Sequence, residues 1–155
     1  FEPFKPTYRQ AEVNFALNPQ LSSKVKRYNF GLTNGIKTME VAYNHENKGI
    51  NSTTSNKRLS VDTSIEKVEL KDAANCLSSL CKTDTHIVLK VDTEGGEYEI
   101  FESFSKNGFS KNIKVVMIEW HFLGAGKLEK LLTSEGFICF SLKHGMESGL
   151  IYAAR

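Results

Sequence analysis

The chain has 155 residues, a length typical of one domain, and 40% of its residues are apolar. Twenty Lys and Arg against eighteen Asp and Glu give a formal net charge of +2. The ordinary composition excludes a disordered or collagen-like chain, and the near balance of charge excludes a dedicated nucleic-acid or membrane binder.

The first part of the chain predicts a helix, a hairpin and a long loop. Pro6 and the apolar residues that follow it at helical spacing predict a helix of about twelve residues, ended by Asn18-Pro19. Residues 25–31 predict a strand, which the Asn34-Gly35 turn would join to a partner strand at 39–43. Residues 44–58 are almost entirely polar and predict a long mobile loop.

The middle of the chain predicts a change from strands to a helix and back to a strand. Leu59 and Val61 predict a short edge strand, and residues 65–70 predict another. Asp72 is a suitable N-cap for a helix that runs to about Cys81. Residues 86–92, HIVLKVD, form the continuous β-branched run that is typical of a strand buried on both faces, which indicates a parallel sheet.

The last part alternates helices with strands. Helices are predicted at 97–107 and 127–135, each ended by a glycine, and a second buried strand is predicted at 113–119. Residues 137–142 and 150–154 predict a closing pair of strands. This order predicts an α/β domain with helices on both faces of its sheet.

Ionisable side chains gather where the two buried strands end. Asp92, Glu94 and Glu97 follow the first strand, and Glu119 and His121 end the second. Because parallel strands end at one edge of a sheet, where ligands bind in open α/β folds, we expect these groups to converge. The candidate catalytic residues are Asp92, Glu94 and His121.

Each of these residues also has a structural interpretation. Glu97 could be a first-turn charge that interacts with the helix dipole. Lys90 could pair with Asp92 or Glu119, and His121 could be a hydrogen-bonded structural histidine. Glu2 is a separate candidate, because an acidic residue at the end of a second strand accepts hydrogen bonds from ribose in nucleotide-binding folds.

Four motifs stand in order along the chain: FEP at 1–3 with its helix, NFGLTN at 29–34, LKVDTEGGE at 89–97 and IEWH at 118–121. In these motifs the sequence resembles the FkbM-type methyltransferases. The K-x-D-x-E-G-x-E string is the most specific of them, and the resemblance covers nearly the whole chain. It implies transfer of a methyl group from S-adenosyl-L-methionine, most often to a hydroxyl of a sugar or secondary metabolite. The implied partner is a small-molecule or glycan acceptor.

The resemblance also implies a fold and a set of cofactor contacts. The fold is a Rossmann-like class I methyltransferase sheet with strands in the order 3-2-1-4-5-7-6. Strand 1, most of strand 2 and the glycine-rich loop have no counterpart in this sequence, so we expect one N-terminally incomplete domain over residues 1–155. Glu2 would hold the cofactor ribose and residues 29–32 would flank the adenine. The implied cofactor-binding residues are Glu2, Pro3, Asn29, Phe30, Gly31, Leu32 and Asp92.

Two other functions are alternatives to the methyltransferase. A metal-dependent hydrolase or nuclease would use Asp92, Glu94, Glu119 and His121 as ligands, whereas a binding module without the cofactor loop would use none of them. We predict the methyltransferase, with no metal at its site and with the loop at 44–58 closing over the acceptor.

The cysteines and the apolar runs bear on compartment and partners. Three cysteines, Cys76, Cys81 and Cys139, form neither a CxxC pair nor a zinc pattern, and an odd number argues against a complete disulfide set. A cytoplasmic protein is therefore expected. No apolar run approaches the ~20 residues that span a bilayer. We expect neither a nucleic-acid nor a membrane partner. The sequence does not indicate an oligomeric state.

Overall fold

The computed structural model describes residues 1–54, 62–82 and 85–155. The strand predicted at Leu59 and Val61 lies outside these residues. The helices are α1 (Lys5–Ala16), α2 (Pro19–Ser22), α3 (Ala73–Leu80), α4 (Glu97–Asn107) and α5 (Gly126–Ser134), with 3-10 turns at Lys48–Ile50 and Phe109–Asn112. The strands are β1 (Gly31–Thr33), β2 (Lys37–Asn44), β3 (Thr63–Asp72), β4 (Ile87–Asp92), β5 (Ile113–His121), β6 (Ile138–Lys143) and β7 (Ser148–Ala154).

The predicted helices and their ends are confirmed. The Asp72 carboxylate accepts a hydrogen bond from the backbone N–H of Asn75 at 2.9 Å and so caps α3. Gly108 and Gly136 follow α4 and α5 with φ of 64° and 85°, the left-handed conformation that glycine adopts without strain. Local sequence signals therefore fix where these helices begin and end.

The strands form two separate sheets. One has the order β1-β3-β2, with β3 parallel to β1 and antiparallel to β2. The other has the order β4-β5-β7-β6, with β4 parallel to β5 and β7 antiparallel to both its neighbours. The seven-stranded order implied by the resemblance is not formed in the described residues, because β1 and β4 are both edge strands.

The predicted hairpin around Asn34-Gly35 is wrong. β1 covers only residues 31–33, and both β1 and β2 pair with β3 instead of with each other. The ten-residue β3 offers an edge to each of them, and its eight-residue register with β2 is longer than the short β1 could provide. Upstream of β1, the backbone C=O of Tyr28 accepts a hydrogen bond from the N–H of Glu2.

The main core lies on one face of the four-stranded sheet. Strand residues Val91, Ile118 and Ile151 pack there against Phe104 of α4 and Leu128 of α5. Alternate residues point to the opposite face. The α/β class is confirmed, since these strands alternate with helices that cover a common core.

The opposite face does not match the prediction of strands buried on both sides. Val88 and Phe140 are each 65% exposed, and Lys90, Ile138 and Leu142 are exposed as well. In residues 1–54, 62–82 and 85–155, helices therefore cover one face only. The β-branched run at 86–92 correctly indicates a strand of a parallel pair, but a run of apolar residues does not report which face is covered.

A smaller core belongs to the three-stranded sheet. Phe4, Val41, Tyr43 and Val68 pack together, and the hydroxyls of Thr7 and Tyr43 are 2.9 Å apart. These contacts place the start of α1 against β2 and β3. None of the helices in the described part of the chain combines the length and apolar character needed to cross a membrane.

Glu99 of α4 connects the two sheets. Thr33 Oγ1 of β1 and Lys37 Nζ of β2 both donate to Glu99 Oε2, the lysine at 3.0 Å. Burial alone would raise the pKa of Glu99, but the hydrogen bonds from Thr33 and Lys37 outweigh it and lower the pKa below its ordinary value. The ionised form of Glu99 thus holds β1 and β2 against a helix of the other core.

This contact predicts an acid-sensitive contribution to stability. Because the folded state depresses the pKa of Glu99, its contribution is present above the unfolded pKa of about 4.3 and is lost as pH falls through the folded pKa. The pair with Lys37 is partly exposed, so we expect Glu99→Gln to lower the free energy of unfolding by less than about 1 kcal/mol at neutral pH. Urea unfolding between about pH 7 and pH 3 measures this, and a difference that persists unchanged at the acid end would contradict it.

Candidate functional site

The predicted convergence of ionisable groups is present where β4 and β5 end. The parallel register places Asp92 of β4 opposite Glu119 of β5, and His121 ends β5 two residues later. One ligand-type atom from each of Asp92, Glu94 and His121 lies within 4.8 Å of the others. The three predicted catalytic residues are therefore close neighbours in space.

His121 is held in place by Glu97. The imidazole Nδ1 is 2.8 Å from Glu97 Oε1, and the Glu97 side chain is completely buried. The same carboxylate oxygen accepts hydrogen bonds from the backbone N–H groups of Thr93 and Gly95, at 3.2 and 3.1 Å. An oxygen that accepts two N–H groups acts as an acceptor toward the ring as well, so Nδ1 carries the proton and Nε2 faces the cluster.

This arrangement replaces the interpretation of Glu97 as a simple first-turn charge. Glu97 is in the first turn of α4, but its carboxylate turns inward and joins the β4–α4 loop to the end of β5. Its second oxygen, Oε2, is buried and has no hydrogen-bond partner in the described residues. Burial of a carboxylate raises the free energy of the folded state unless the group is paired. The three contacts of Oε1 provide this pairing, and they make Glu97 a central part of the site.

Tyr98 supports the loop that follows β5. Its hydroxyl donates to the backbone C=O groups of His121 and Gly124, at 3.1 and 2.9 Å. Burial, together with the neighbouring Glu97 charge, raises the pKa of Tyr98 to about 12, so the hydroxyl keeps its proton and remains a donor. Glu97 and Tyr98 thus fix the ring and the backbone of His121 from adjacent positions.

Backbone strain is concentrated at the same sheet edge. Glu94 and Phe122 have φ of 50° and 66°, values that non-glycine residues adopt at a cost of order 1–3 kcal/mol. Gly95 has φ of 108°, and a Cβ at that position would lie 2.4 Å from Thr54 Oγ1. The hydroxyls of Ser52 and Thr54 donate to the backbone C=O of Glu94. The 51–54 segment of the predicted loop therefore packs directly against the β4–α4 turn.

A cavity of about 470 Å³ lies between the two sheets. Its lining includes Glu2, Pro3, Gly31 and Leu32 from one side and Asp92, Thr93 and Glu94 from the other, together with Lys48, Asn51 and Thr53 of the loop and apolar residues such as Leu77 and Phe104. Its volume is within the range of small-molecule sites, about 300–1,000 Å³. The cavity thus adjoins both groups of residues that the sequence singled out.

Three predicted site residues do not line this cavity. Asn29 instead donates through Nδ2 to the backbone C=O groups of Glu2 and Pro3, at 2.9 and 3.3 Å. Phe30 packs with Phe1 and Tyr28. His121 Nε2 is 3.7 Å from Glu94 Oε1, but His121 is not among the described residues that line the cavity. Asn29 does not contact the cavity. It holds the FEP segment, whose Glu2 and Pro3 line it.

Glu2 is well placed to contact a ligand in the cavity. Its Oε1 accepts a hydrogen bond from the N–H of Phe4 at 2.9 Å, which orients the carboxylate at the start of α1. Burial raises the pKa of Glu2 above its ordinary value, although the Phe4 hydrogen bond partly opposes this. Its second oxygen makes no hydrogen bond to a described residue, so it is available to a hydroxyl.

The structural alternative for Lys90 is correct. Lys90 Nζ is 3.1 Å from Asp92 Oδ2, on the exposed face of the sheet. His144 Nε2, in the turn between β6 and β7, is 3.5 Å from Glu119 Oε1. Both contacts border the cluster, and neither side chain enters it.

Sequence reasoning missed several residues of the site. Ser52 and Thr54 come from a segment with no apolar pattern, and nothing in the sequence indicated that their hydroxyls would reach Glu94. Glu97 had a detectable signal, since its spacing after Asp92 and Glu94 lies within the specific K-x-D-x-E-G-x-E string. Its partnership with His121 spans 24 residues and depends on how β4 and β5 pair.

Comparison with known proteins gives one match. A family model described as the methyltransferase FkbM domain matches residues 1–139. No curated protein and no solved structure matches the chain.

Proposed function

This chain belongs to the FkbM methyltransferase domain family, and from that we propose that it transfers a methyl group from S-adenosyl-L-methionine to a hydroxyl oxygen of a sugar or secondary metabolite. The family supports a methyltransferase over the metal-dependent hydrolase that the same acidic residues suggested. The observation that carries the proposal is that one cavity borders both Glu2 at one end and Asp92 and Glu94 at the other.

The residues around the cavity fit the implied cofactor. Glu2 would accept hydrogen bonds from the ribose hydroxyls, since a carboxylate at this position is the usual ribose acceptor in nucleotide-binding α/β folds. Pro3, Gly31 and Leu32 would contact the adenine, with Asn29 holding the FEP segment behind them. Asp92 lies across the cavity, where its charge is suited to the cationic part of the cofactor.

We propose that the two sheets are the two ends of one Rossmann-like sheet, with β1 and β4 as the edge strands on the sides that face each other. The order β4-β5-β7-β6, with β7 antiparallel, supports this because it matches one end of the family order. The hydrogen bond from Glu2 N–H to Tyr28 C=O supports it too, since it places the FEP segment beside the backbone that leads into β1.

In the proposed reaction the protein has two tasks. It aligns the acceptor hydroxyl with the methyl group, and it removes the hydroxyl proton. The cofactor supplies a methyl group on positively charged sulfur, which keeps the electron pair of the broken bond as the acceptor oxygen forms the new one. Asp92, Glu94 and His121 would position the acceptor hydroxyl and take its proton, a contribution of typically 10²–10⁴-fold. The 51–54 segment would exclude water from the acceptor side. Three free cysteines are consistent with a cytoplasmic reaction.

Binding of S-adenosylhomocysteine to the full-length protein tests the cofactor assignment. We expect Glu2→Gln to weaken this binding about tenfold or more, because hydrogen bonds to a charged group are worth about 1.5–3 kcal/mol. Glu12→Gln, an exposed position on α1, is the matched control and should bind as the wild type does. Isothermal titration calorimetry measures all three. Equal affinities in all three proteins would contradict the role of Glu2.

The pH dependence of the same binding gives an independent check. Because burial raises the pKa of Glu2, its carboxylate is lost at a higher pH than an exposed glutamate would lose it. Wild-type affinity should fall as the solution is acidified through that pKa. All other ionisable groups are the same in the two proteins, so the difference between wild type and Glu2→Gln reports Glu2 alone.

A further inference from the structure

β6 (Ile138–Lys143) forms the outer edge of the four-stranded sheet. Among the described residues its only strand partner is β7, which pairs with it along its whole length. An edge strand presents alternate backbone N–H and C=O groups to solvent, and these groups can hydrogen-bond to another extended chain. We propose that β6 pairs antiparallel with β6 of a second copy of this chain, so that the two four-stranded sheets join across a two-fold axis.

The sequence of β6 lacks the features that keep edge strands apart. Proteins protect such edges with charged side chains, with proline or with a bulge. β6 reads ICFSLK, without proline, and its register with β7 is regular. Its one charged residue, Lys143, is at the end of the strand. The middle of the edge is therefore open to pairing.

The outward face of β6 is both apolar and exposed. Ile138, Phe140 and Leu142 alternate along the strand and are 83%, 65% and 52% exposed. Tyr152 of β7 is the partner of Phe140 in the register and is 46% exposed. Contiguous apolar surface of this kind is typical of protein interaction sites.

The alternation of side chains makes β6 complementary to itself. A two-fold axis at Phe140 would place this residue opposite the same residue of the second copy, and Ile138 opposite Leu142. Every opposed pair on the outward face would then be apolar. On the inward face Cys139 would lie opposite Ser141, and both are small and uncharged. This register therefore opposes no like charges along the strand.

Aromatic side chains would define the centre of the interface. Because Phe140 already pairs with Tyr152 across β6 and β7, the two copies together would align four aromatic rings in one row. Aromatic pairs on neighbouring strands stabilise a sheet beyond what their buried area provides. A strand of six residues spans only about 20 Å, so the interface is at the small end of the known range and the dimer should dissociate on dilution.

The pairing leaves the candidate functional site open. β5 and β7 lie between β6 and β4, and β4 is the strand that ends at Asp92 beside the cavity. The dimer therefore does not rest on the proposed function. Loss of the dimer should leave the binding of S-adenosylhomocysteine unchanged.

The test is sedimentation velocity of the full-length protein over a wide range of concentration, in which we expect a reversible equilibrium of monomer and dimer. Phe140→Lys places two ammonium groups opposite each other and should raise the dissociation constant of the dimer at least about tenfold. Phe140→Glu should do the same with two carboxylates. Ile36→Lys changes a residue that is 88% exposed, just before β2 of the other sheet. It is the matched control and should dimerise as the wild type does.

A mixture of the two charged variants distinguishes strand pairing from other modes of association. Opposite charges attract, so Phe140→Lys and Phe140→Glu together should form a dimer that neither forms alone at the same concentration. Because Phe140 is largely exposed, both variants should keep the circular dichroism spectrum of the wild type.

Several results would overturn the pairing. They are a wild-type chain that stays monomeric at every concentration, a Phe140→Lys protein that dimerises as the wild type does, and a mixture that associates no more strongly than its components. Assembly of the wild type beyond the dimer would also overturn it, since the two-fold pairing uses the free edge of β6 in both copies.

Discussion

Replacing Glu97 with alanine should lower the free energy of unfolding by about 3–5 kcal/mol, the cost of breaking a buried charged network. The change leaves the N–H groups of Thr93 and Gly95 and the Nδ1–H of His121 without their acceptor in a buried environment. Each buried donor without a partner costs about 1–3 kcal/mol. Urea unfolding followed by circular dichroism measures the loss as a lower midpoint.

Two further variants distinguish the network from a general effect on α4. Glu97→Gln keeps one acceptor oxygen, so it should lower the free energy of unfolding by less than Glu97→Ala does. Glu102→Ala, on the same helix, removes a largely exposed contact with Lys127 and should cost no more than about 1 kcal/mol. If Glu97→Ala were as stable as Glu102→Ala, Glu97 would not hold the site together.

The second large effect is expected on catalysis. His121→Asn should lower the rate of methyl transfer by at least about 100-fold, because asparagine cannot accept the hydroxyl proton. Affinity for S-adenosylhomocysteine should change by less than about threefold, since His121 does not line the cavity. Production of S-adenosylhomocysteine over a panel of hydroxylated acceptors gives the rate.

A histidine elsewhere serves as the control. His45→Asn changes a residue that contacts Ser64 and Tyr43 in the three-stranded sheet, far along the chain from the cluster. It should keep the wild-type rate. A His121→Asn enzyme that folds normally and turns over at the wild-type rate would remove His121 from the reaction, whichever group then served as base.

The structure also shows how the turn between β4 and α4 is held in place. A turn that requires two left-handed residues, Glu94 and Gly95, is followed at once by the first turn of α4. Strain at these positions persists only when neighbours hold it in place. Ser52 and Thr54 on one side and Glu97 on the other provide those contacts. The acidic turn is therefore held from two directions.

The sequence by itself determined the local elements and the chemical character of the site. The Asp72 cap, the glycines after α4 and α5, and the strands that end in acidic residues were all predictable because their signals act within a few residues. The tertiary structure alone decided that β1 and β2 pair with β3, and that Glu97 turns inward to His121. Such contacts depend on strand register and on which edge is free, quantities set by the packing of distant segments that no short stretch of sequence encodes.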